Sequence, residues 1–234
     1  TPEIAPPDPD TRAITTNNRG NEFLDDSDLK RFQRMKEINP KRYKVAGLGE
    51  WGVVDGLVYE NWNIREFNVN DISKQEGVRS VFGLDFGFTN DPTALFCGLI
   101  DVGKKKLYVF DEIYQRGLIN DEIAQKITDM GYAKERIVAD SAEPKSIAEI
   151  RRKGIRRMRP SRKGQDSVRA GIQFVQGFEI IIHPQCVNFI TEIQNYQWDE
   201  DTTGKKLNVP IDDFNHLMDA MRYAVEEYTR RERR

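Results

Sequence analysis

Apolar and polar residues along the chain predict strands first and alternating helices and strands later. Three β-rich runs, at 79–86, 93–100 and 106–114, follow one another closely, and the turn 101–105 separates the last two. They predict a three-stranded antiparallel meander, and the later alternation is the order of a mixed α/β sheet flanked by helices. The later predicted elements are helices at 120–131, 144–153, 165–176, 185–196 and 213–230, strands at 136–140, 155–159 and 178–183, and an added β-hairpin at 196–209.

The first part of the chain has a different character. Residues 1–20 are rich in Pro, Thr, Asn and Asp and predict a linker, while 22–38 carry apolar residues at helical spacing. The glycines and tryptophans of 47–62 predict a tight loop packed on another surface. The start without Met leads us to expect a piece of a longer polypeptide. With a boundary between about 65 and 78, the predicted division is 1–70 as linker and tail of a preceding domain, and 71–234 as the main domain.

The composition argues against several classes of protein. The 234 residues are 38% hydrophobic and 32% charged, and their mean hydropathy is −0.67. No apolar stretch approaches the ~20 residues that span a bilayer, and the start lacks the basic and apolar segments of a signal peptide. Cys97 and Cys186 are the only cysteines. Because each lies beside apolar residues, they predict buried thiols in a reducing compartment rather than a zinc site.

Positive charge is concentrated in one block. The net charge is only −2, but 151–169 carries nine basic residues against the single acid Asp166. Local patches govern binding to a polyanion more than net charge does. The block directly follows a candidate catalytic strand and therefore predicts phosphate contacts, although a solvated surface is the alternative. The candidate DNA-binding residues are Arg156, Arg157, Arg159, Arg162 and Lys163.

Three aspartates stand where a metal-dependent nuclease needs them. Asp85 ends the apolar run 81–84, Asp140 ends the run 137–139, and Asp219 lies in the last predicted helix. Two acids at strand ends and a third on a late helix can converge on divalent cations, which cut a phosphodiester without a nucleophilic side chain. Asp85 and Asp140 are neighbours if their strands lie adjacent and parallel.

Each of the two strand-end acids has an alternative interpretation. The string 85–89, Asp-Phe-Gly-Phe-Thr, also matches the D-x-G-x-T phosphate turn of actin-like and sugar-kinase ATPases. Such an enzyme needs a second glycine-rich phosphate loop, and we find none. Asp140 is equally well placed to cap the helix that begins near Pro144.

Asp219 raises a difficulty of geometry. If the apolar stripe of its helix packs on the sheet, the acid points away from Asp85 unless the helix is contacted on both sides or crosses the strand ends obliquely. A solvated polar face is the alternative. The stripe comprises Phe214, Met218, Met221, Val225 and Tyr228, and the opposite face carries Asp212, His216, Asp219 and Tyr223.

Other catalytic motifs are absent from the sequence. It contains no G-x-x-x-x-G-K-S/T loop and no G-x-S-x-G elbow. His183 and His216 are the only histidines, and neither forms a Ser/His/Asp set.

With these residues assembled, the chain resembles the C-terminal nuclease domain of the large terminase subunit of tailed bacteriophages. The resemblance rests on 83–87, 137–143 and 215–223, and it covers roughly 78–230. It implies an RNase H-like fold. It also implies that Asp85, Asp140 and Asp219 bind two Mg²⁺ or Mn²⁺ ions, with His216 as a nearby proton carrier or outer-shell group. Further candidates for the metal shell are Glu143, Asp212 and Asp213.

The resemblance also implies a function and partners. It implies an endonuclease that cuts double-stranded viral DNA during genome packaging, with little sequence specificity, in the host cytoplasm. The implied partners are double-stranded DNA, an ATPase domain of the same polypeptide, the small terminase subunit and the capsid portal, without a membrane. Residues 49–62 look like the tail of that ATPase domain.

Two alternatives to a terminase nuclease follow from the same residues. A junction resolvase or transposase keeps the RNase H-like chemistry and changes the substrate. A non-enzymatic module that docks on a capsid portal would tolerate the loss of all three aspartates. The hairpin at 196–209 is suited equally to flanking a DNA groove and to packing.

Overall fold

The computed structural model describes residues 33, 56–162, 164, 166–201 and 206–232. The chain divides into two compact units, Thr1–Asp55 and Gly56–Arg234. The helix predicted at 22–38 lies outside the described residues except for Gln33, which is helical, and so does most of the loop predicted at 47–62. The second unit contains the sheet.

A seven-stranded mixed sheet forms the centre of Gly56–Arg234. Its strands are β1 Trp62–Ile64, β2 Val78–Asp85, β3 Thr93–Asp101, β4 Lys106–Gln115, β5 Ile137–Ala139, β6 Arg159–Pro160 and β7 Glu179–Ile182. The strand order is β1-β7-β4-β3-β2-β5-β6. The β2–β3 and β3–β4 pairs are antiparallel and the other pairs are parallel, so the predicted meander and mixed sheet are confirmed.

Helices cover both faces of the sheet. One core cluster joins residues of the last three helices to one face, and a second joins residues of the second and third helices to the other. No helix in the described part of the chain is both long enough and apolar enough to cross a membrane. The helices are α1 Val69–Ser73, α2 Asn120–Asp129, α3 Pro144–Arg152, α4 Ser167–Gln176, α5 Val187–Asn195 and α6 His216–Glu232.

Strand β3 lies in the middle of the sheet because its sequence is apolar on both faces. All nine of its residues are buried. Ala94 and Phe96 belong to one core cluster, and Leu95 and Cys97 belong to the other. A strand buried on both faces has an uninterrupted apolar sequence, which Thr93–Asp101 has almost throughout.

Helix α6 crosses β2 at a point where the strand has no side chain. A Cβ atom on Gly83 would lie 1.8 Å from the carbonyl oxygen of Ala220 and 2.9 Å from the amide nitrogen of Ala224. A glycine on the strand and two alanines on the helix therefore let the two backbones meet. This contact lies two residues before Asp85, and it brings the start of the helix to the end of the strand.

Two predicted element boundaries differ from the observed ones. The last helix begins at His216 rather than near 213, because Phe214 has a φ of 57° and cannot continue a right-handed helix. The strand predicted at 155–159 is only Arg159–Pro160. Strand β1, for which no strand was predicted, pairs in parallel with β7 and extends the sheet.

A two-stranded antiparallel hairpin stands apart from the main sheet. Its strands are β8 Trp198–Glu200 and β9 Lys206–Pro210, which agree with the predicted hairpin. A bridge between Leu57 and Gln197 connects the residue before β8 to the beginning of the unit.

Candidate active site

Asp85 and Asp140 stand at the carboxyl ends of adjacent parallel strands. The last paired residues of β2 and β5 are Leu84 and Ala139, and the amide of Asp140 donates a hydrogen bond of 2.9 Å to the carbonyl oxygen of Leu84. Parallel neighbours end at the same edge of a sheet, so both acids lie at one edge. The structure has the adjacency on which the sequence argument depended.

The side chain of Asp140 stabilises a turn rather than the end of a helix. Its Oδ1 accepts a hydrogen bond of 3.0 Å from the amide of Ala142. Glu143, and not Asp140, occupies the N-cap position of α3, and it makes no side-chain cap bond. The amide of Ser141 donates a hydrogen bond of 3.2 Å to Oγ of Ser161, which connects this turn to the residue after β6. The helix-cap interpretation of Asp140 is therefore wrong.

Helix α6 brings His216 against Asp85. Nδ1 of His216 lies 3.1 Å from Oδ2 of Asp85, and Nε2 lies 3.7 Å from Oδ1 of Asp91. The side chains of Asp85 and His216 are each 15% exposed, whereas that of Asp91 is 65% exposed. The imidazole therefore lies between a shielded carboxylate and one that faces solvent.

Several elements contact helix α6, which explains how Asp219 can lie near Asp85 although an apolar stripe of the same helix packs on the sheet. It packs on β2, β3 and β5 and also contacts α4 and α5. The buried arc is accordingly wider than the predicted stripe and includes Leu217 and Ala220. Asp219 lies at the margin of this arc, with a side chain that is 24% exposed, rather than on a fully solvated face.

The three aspartates share one electrostatic environment. Burial is the main cause that raises the pKa of Asp85 above its usual value; the hydrogen bond with His216 opposes this shift, and the charges of Asp219 and Asp140 add to it. Burial also raises the pKa of the Tyr223 hydroxyl, and the charges of Asp219, Asp85 and Asp140 raise it further. The negative charges therefore converge from two strands and a helix, although these acids are far apart in sequence.

Sequence reasoning missed the partner of Asp219, which is Arg222. Nη2 and Nε of Arg222 donate hydrogen bonds of 2.5 and 3.2 Å to Oδ1 of Asp219. The Arg222 side chain is only 7% exposed. The available signal was the basic residue three positions after the acid, since residues at this spacing lie on one side of a helix.

Sequence reasoning also missed Glu192, a buried acid in α5. The side chain is 1% exposed, and its Oε2 accepts a hydrogen bond of 2.7 Å from the amide of Leu217, in the first turn of α6. Its Oε1 is buried without a hydrogen-bond partner. Burial raises the pKa of Glu192 to about 7, against the opposing effect of His216. The available signal was an acid inside the apolar helical segment 189–193.

The imidazole of His216 receives opposing influences. Burial alone would lower its pKa, but the hydrogen bond with Asp85 and the charge of Glu192 outweigh this, so the pKa lies above its usual value. The ring is therefore protonated over more of the neutral range than that of a free histidine. A protonated Nδ1 donates its hydrogen bond to Asp85.

The donor set suits a hard divalent cation, because such ions prefer carboxylate oxygens. Across the described residues, no group of three or more His, Cys, Asp or Glu side chains is already arranged to hold a metal ion. A cation is therefore favoured by the carboxylate chemistry and the shared electrostatics of Asp85, Asp140 and Asp219, and not by a preformed set of ligands.

The predicted DNA-binding residues separate into three groups. Arg156, Arg159 and Arg162 line a cleft of about 590 Å³ beside β6 and α6. Arg157 points elsewhere and donates a hydrogen bond of 2.9 Å to the carbonyl oxygen of Lys134. Lys163 lies outside the described residues. The cleft also contains other charged residues, namely Arg136, Arg151, Arg230, Glu226 and Glu227.

Comparison with known proteins assigns a family to this arrangement. The model of the family described as the terminase RNase H-like domain matches residues 85–227, which begin at Asp85 and include Asp140 and Asp219. The match covers more than half of the chain, and the chain belongs to this family.

Two curated relatives are large terminase subunits. The chain is 32% identical over 212 residues to the large terminase subunit of Bacillus phage SPP1, covering 88% of this chain and 50% of that protein. It is 30% identical over 211 residues to the PBSX phage terminase large subunit of Bacillus subtilis strain 168, covering 89% and 48%. The chain therefore spans about half the length of these relatives.

Solved structures confirm the RNase H-like fold. The nuclease domain of the large terminase from bacteriophage SPP1, solved with bound Mn, is 31% identical and superposes with a TM-score of 0.67. The alignment covers 74% of this chain and 99% of that domain. The P22 large terminase nuclease domain has the same fold at 16% identity, with a TM-score of 0.53 and coverage of 77% and 95%.

We predict that Glu192 makes stability fall as pH rises from about 4.5 to 7. The ordinary pKa of this carboxyl is 4.5 and its folded value is about 7, so the folded state binds more protons across this window. Glu192→Gln cannot ionise. The free energy of unfolding of the wild type should therefore decline relative to the variant by about 3 kcal/mol across the window.

Urea unfolding at a series of pH values measures this difference. Gln194→Ala, at an exposed position on the same helix, is the matched control, and its curve should run parallel to that of the wild type because it changes no ionisable group. A Glu192→Gln curve that is also parallel would show that folding does not raise the pKa of Glu192.

Proposed function

We propose that this chain is the nuclease domain of a large terminase, and that it cuts double-stranded viral DNA during genome packaging with little sequence specificity. The observation that carries the proposal is the meeting of Asp85 and Asp140 at one sheet edge, with α6 bringing His216 and Asp219 to it. Membership of the terminase family and a match to a terminase nuclease domain support it.

Asp85, Asp140 and Asp219 would hold two Mg²⁺ or Mn²⁺ ions. When bound, such ions activate a water molecule and stabilise the leaving oxygen of a phosphodiester. The charges of Asp219 and Asp140 add to the raised pKa of Asp85, so positive charge is favoured at this edge, which supports this ligand set. The bound Mn in the SPP1 nuclease domain agrees with it.

His216 has two roles in this proposal. Through Nδ1, which lies 3.1 Å from Oδ2 of Asp85, it orients this carboxylate. Through Nε2, which lies 3.7 Å from the exposed Asp91, it can exchange a proton with solvent after the bond is cut. Its raised pKa favours the protonated form, in which Nδ1 donates to Asp85.

The arginine cleft would hold phosphates on one side of the cut. Within the described residues, Arg151, Arg156 and Arg159 line the cleft without an ion pair of their own, whereas Arg136 and Arg230 are paired with Glu227 and Glu226. Contacts from guanidinium groups to phosphates position DNA without reading its sequence, in keeping with low specificity.

The proposal includes partners beyond this domain. Because the relatives are about twice as long, we infer that the same polypeptide has an ATPase domain, and that the segment predicted as linker and tail, 1–70, includes the connection to it before strand β1 joins the sheet. The small terminase subunit and the capsid portal are further proposed partners, and the host cytoplasm is the proposed location.

Plasmid cleavage tests the proposed activity. Supercoiled plasmid incubated with the chain in Mg²⁺ or Mn²⁺ should be nicked and linearised, and EDTA should prevent both. Asp85→Asn should lose at least about two orders of magnitude in rate, since it removes a ligand charge. Asp129→Asn, an exposed position on α2, is the matched control and should cut normally.

Three results would contradict this proposal. Undiminished cleavage by Asp85→Asn would show that the site is elsewhere. Intact plasmid in every lane, with folded protein, would favour the portal-docking alternative, and a strong preference for branched over linear DNA would favour a resolvase.

The cleft predicts an unequal response of neighbouring arginines. Arg156→Ala and Arg159→Ala should each weaken binding to a short DNA duplex and reduce the slope of log Kd against log salt by about 1. Arg157→Ala is the matched comparison, and it should leave the slope unchanged because its guanidinium is bonded to the Lys134 carbonyl. Fluorescence anisotropy in Ca²⁺ measures all three, and equal slopes for all variants would contradict the cleft assignment.

A further inference from the structure

Arg222 places a positive charge beside Asp219, one of the candidate metal ligands. Its side chain is 7% exposed, and the guanidinium lies 5.6 Å from the centre of the Tyr223 ring. Gly171 of α4 lies against it, since a Cβ there would be in ordinary van der Waals contact with Cδ of Arg222 at 3.4 Å. The side chain is therefore enclosed between α4 and α6.

Arg222 lies near the aromatic rings of Tyr59 and Tyr196 as well as the carboxylate of Asp219. Tyr59 and Tyr196 are each 1% exposed and stack with ring centroids 6.0 Å apart. The Tyr59 hydroxyl is buried without a hydrogen-bond partner. The charge of Arg222 opposes the effect of burial on the pKa of both tyrosines, so it lies close to each.

The contact between Arg222 and Asp219 is therefore not a dispensable surface pair. Asp219 is the carboxylate that holds the charge of Arg222, through two hydrogen bonds to the single atom Oδ1. Removing Asp219 from this contact would leave a buried cation without a partner, which is strongly unfavourable. The pair thus fixes one oxygen of Asp219 and determines where the other lies.

We propose that Arg222 is a positioning residue, which fixes Oδ1 of Asp219 and thereby leaves Oδ2 for a divalent cation. This inference rests on the proposed function, because it assumes that Asp219 is a metal ligand. The opposing model treats Arg222 as a substitute cation that a metal must displace. The burial of the arginine favours positioning, since displacement would leave the arginine unpaired.

Metal binding without DNA distinguishes the two models. Calorimetric titration with Mn²⁺ should show an affinity about 10–100-fold weaker for Arg222→Gln than for the wild type. Arg222→Lys keeps the charge but loses the forked geometry, so it should recover only part of the affinity. Arg65→Gln removes an arginine that pairs with Glu179, outside the site and the cleft, and should bind Mn²⁺ like the wild type.

The outcomes separate this inference from the proposed function. Wild-type protein that binds no Mn²⁺ would overturn the proposed function and this inference with it. Wild-type binding with equal or tighter binding by Arg222→Gln would overturn the positioning role alone. Full affinity in Arg222→Lys would also overturn it, because charge without geometry would then suffice.

A measurement on unmodified protein covers the case in which the Arg222 variants do not fold. The Nε–H of Arg222 should give a hydrogen-bonded NMR signal in metal-free protein and keep it in saturating Mg²⁺, since the pair with Asp219 persists. Loss of that signal on adding Mg²⁺ would support displacement and overturn the inference.

Discussion

The contact between strand β2 and helix α6 is the constraint on which the rest of the site depends. At Gly83 the strand has no side chain, and the backbone of the helix occupies that space at Ala220 and Ala224. Any Cβ at this position would push the helix outwards. Asp85 lies two residues beyond the contact on the strand, and Asp219 lies beside it on the helix. Small residues in the core therefore set the distance between Asp85 and Asp219, which are 134 positions apart in the sequence (219 − 85).

Gathering negative charge at this edge has an electrostatic cost, which the structure offsets from several sides. His216 faces Asp85, and Arg222 holds Asp219 from behind. Burial still raises the pKa of Asp85, and the neighbouring acids add to that shift. The arrangement is suited to bring in cations, because a divalent ion would relieve the repulsion that the protein groups only partly offset. His216 and Arg222 are therefore part of the same site as the acids that they contact.

Sequence reasoning predicted the parts of this fold that depend on local pattern. The apolar runs located β2, β3 and β4 to within a residue or two, and strand ends located Asp85 and Asp140. It could not orient Asp219, because the prediction assumed that one apolar stripe contacts one surface, whereas α6 is contacted by strands and by two other helices. Glu192 and Arg222 depend on tertiary neighbours as well. Strand β1 has three residues and pairs with β7, a partner distant in sequence, so local pattern could not place it in the sheet.

The central claim is that Asp85, Asp140 and Asp219 form one cation site. Anomalous diffraction from crystals grown or soaked in Mn²⁺ tests it most directly. The claim predicts strong anomalous density in contact with all three carboxylates, and its loss in crystals of Asp85→Asn. Crystals in saturating Mn²⁺ that show no density at these carboxylates, or density only at other acids, would contradict it.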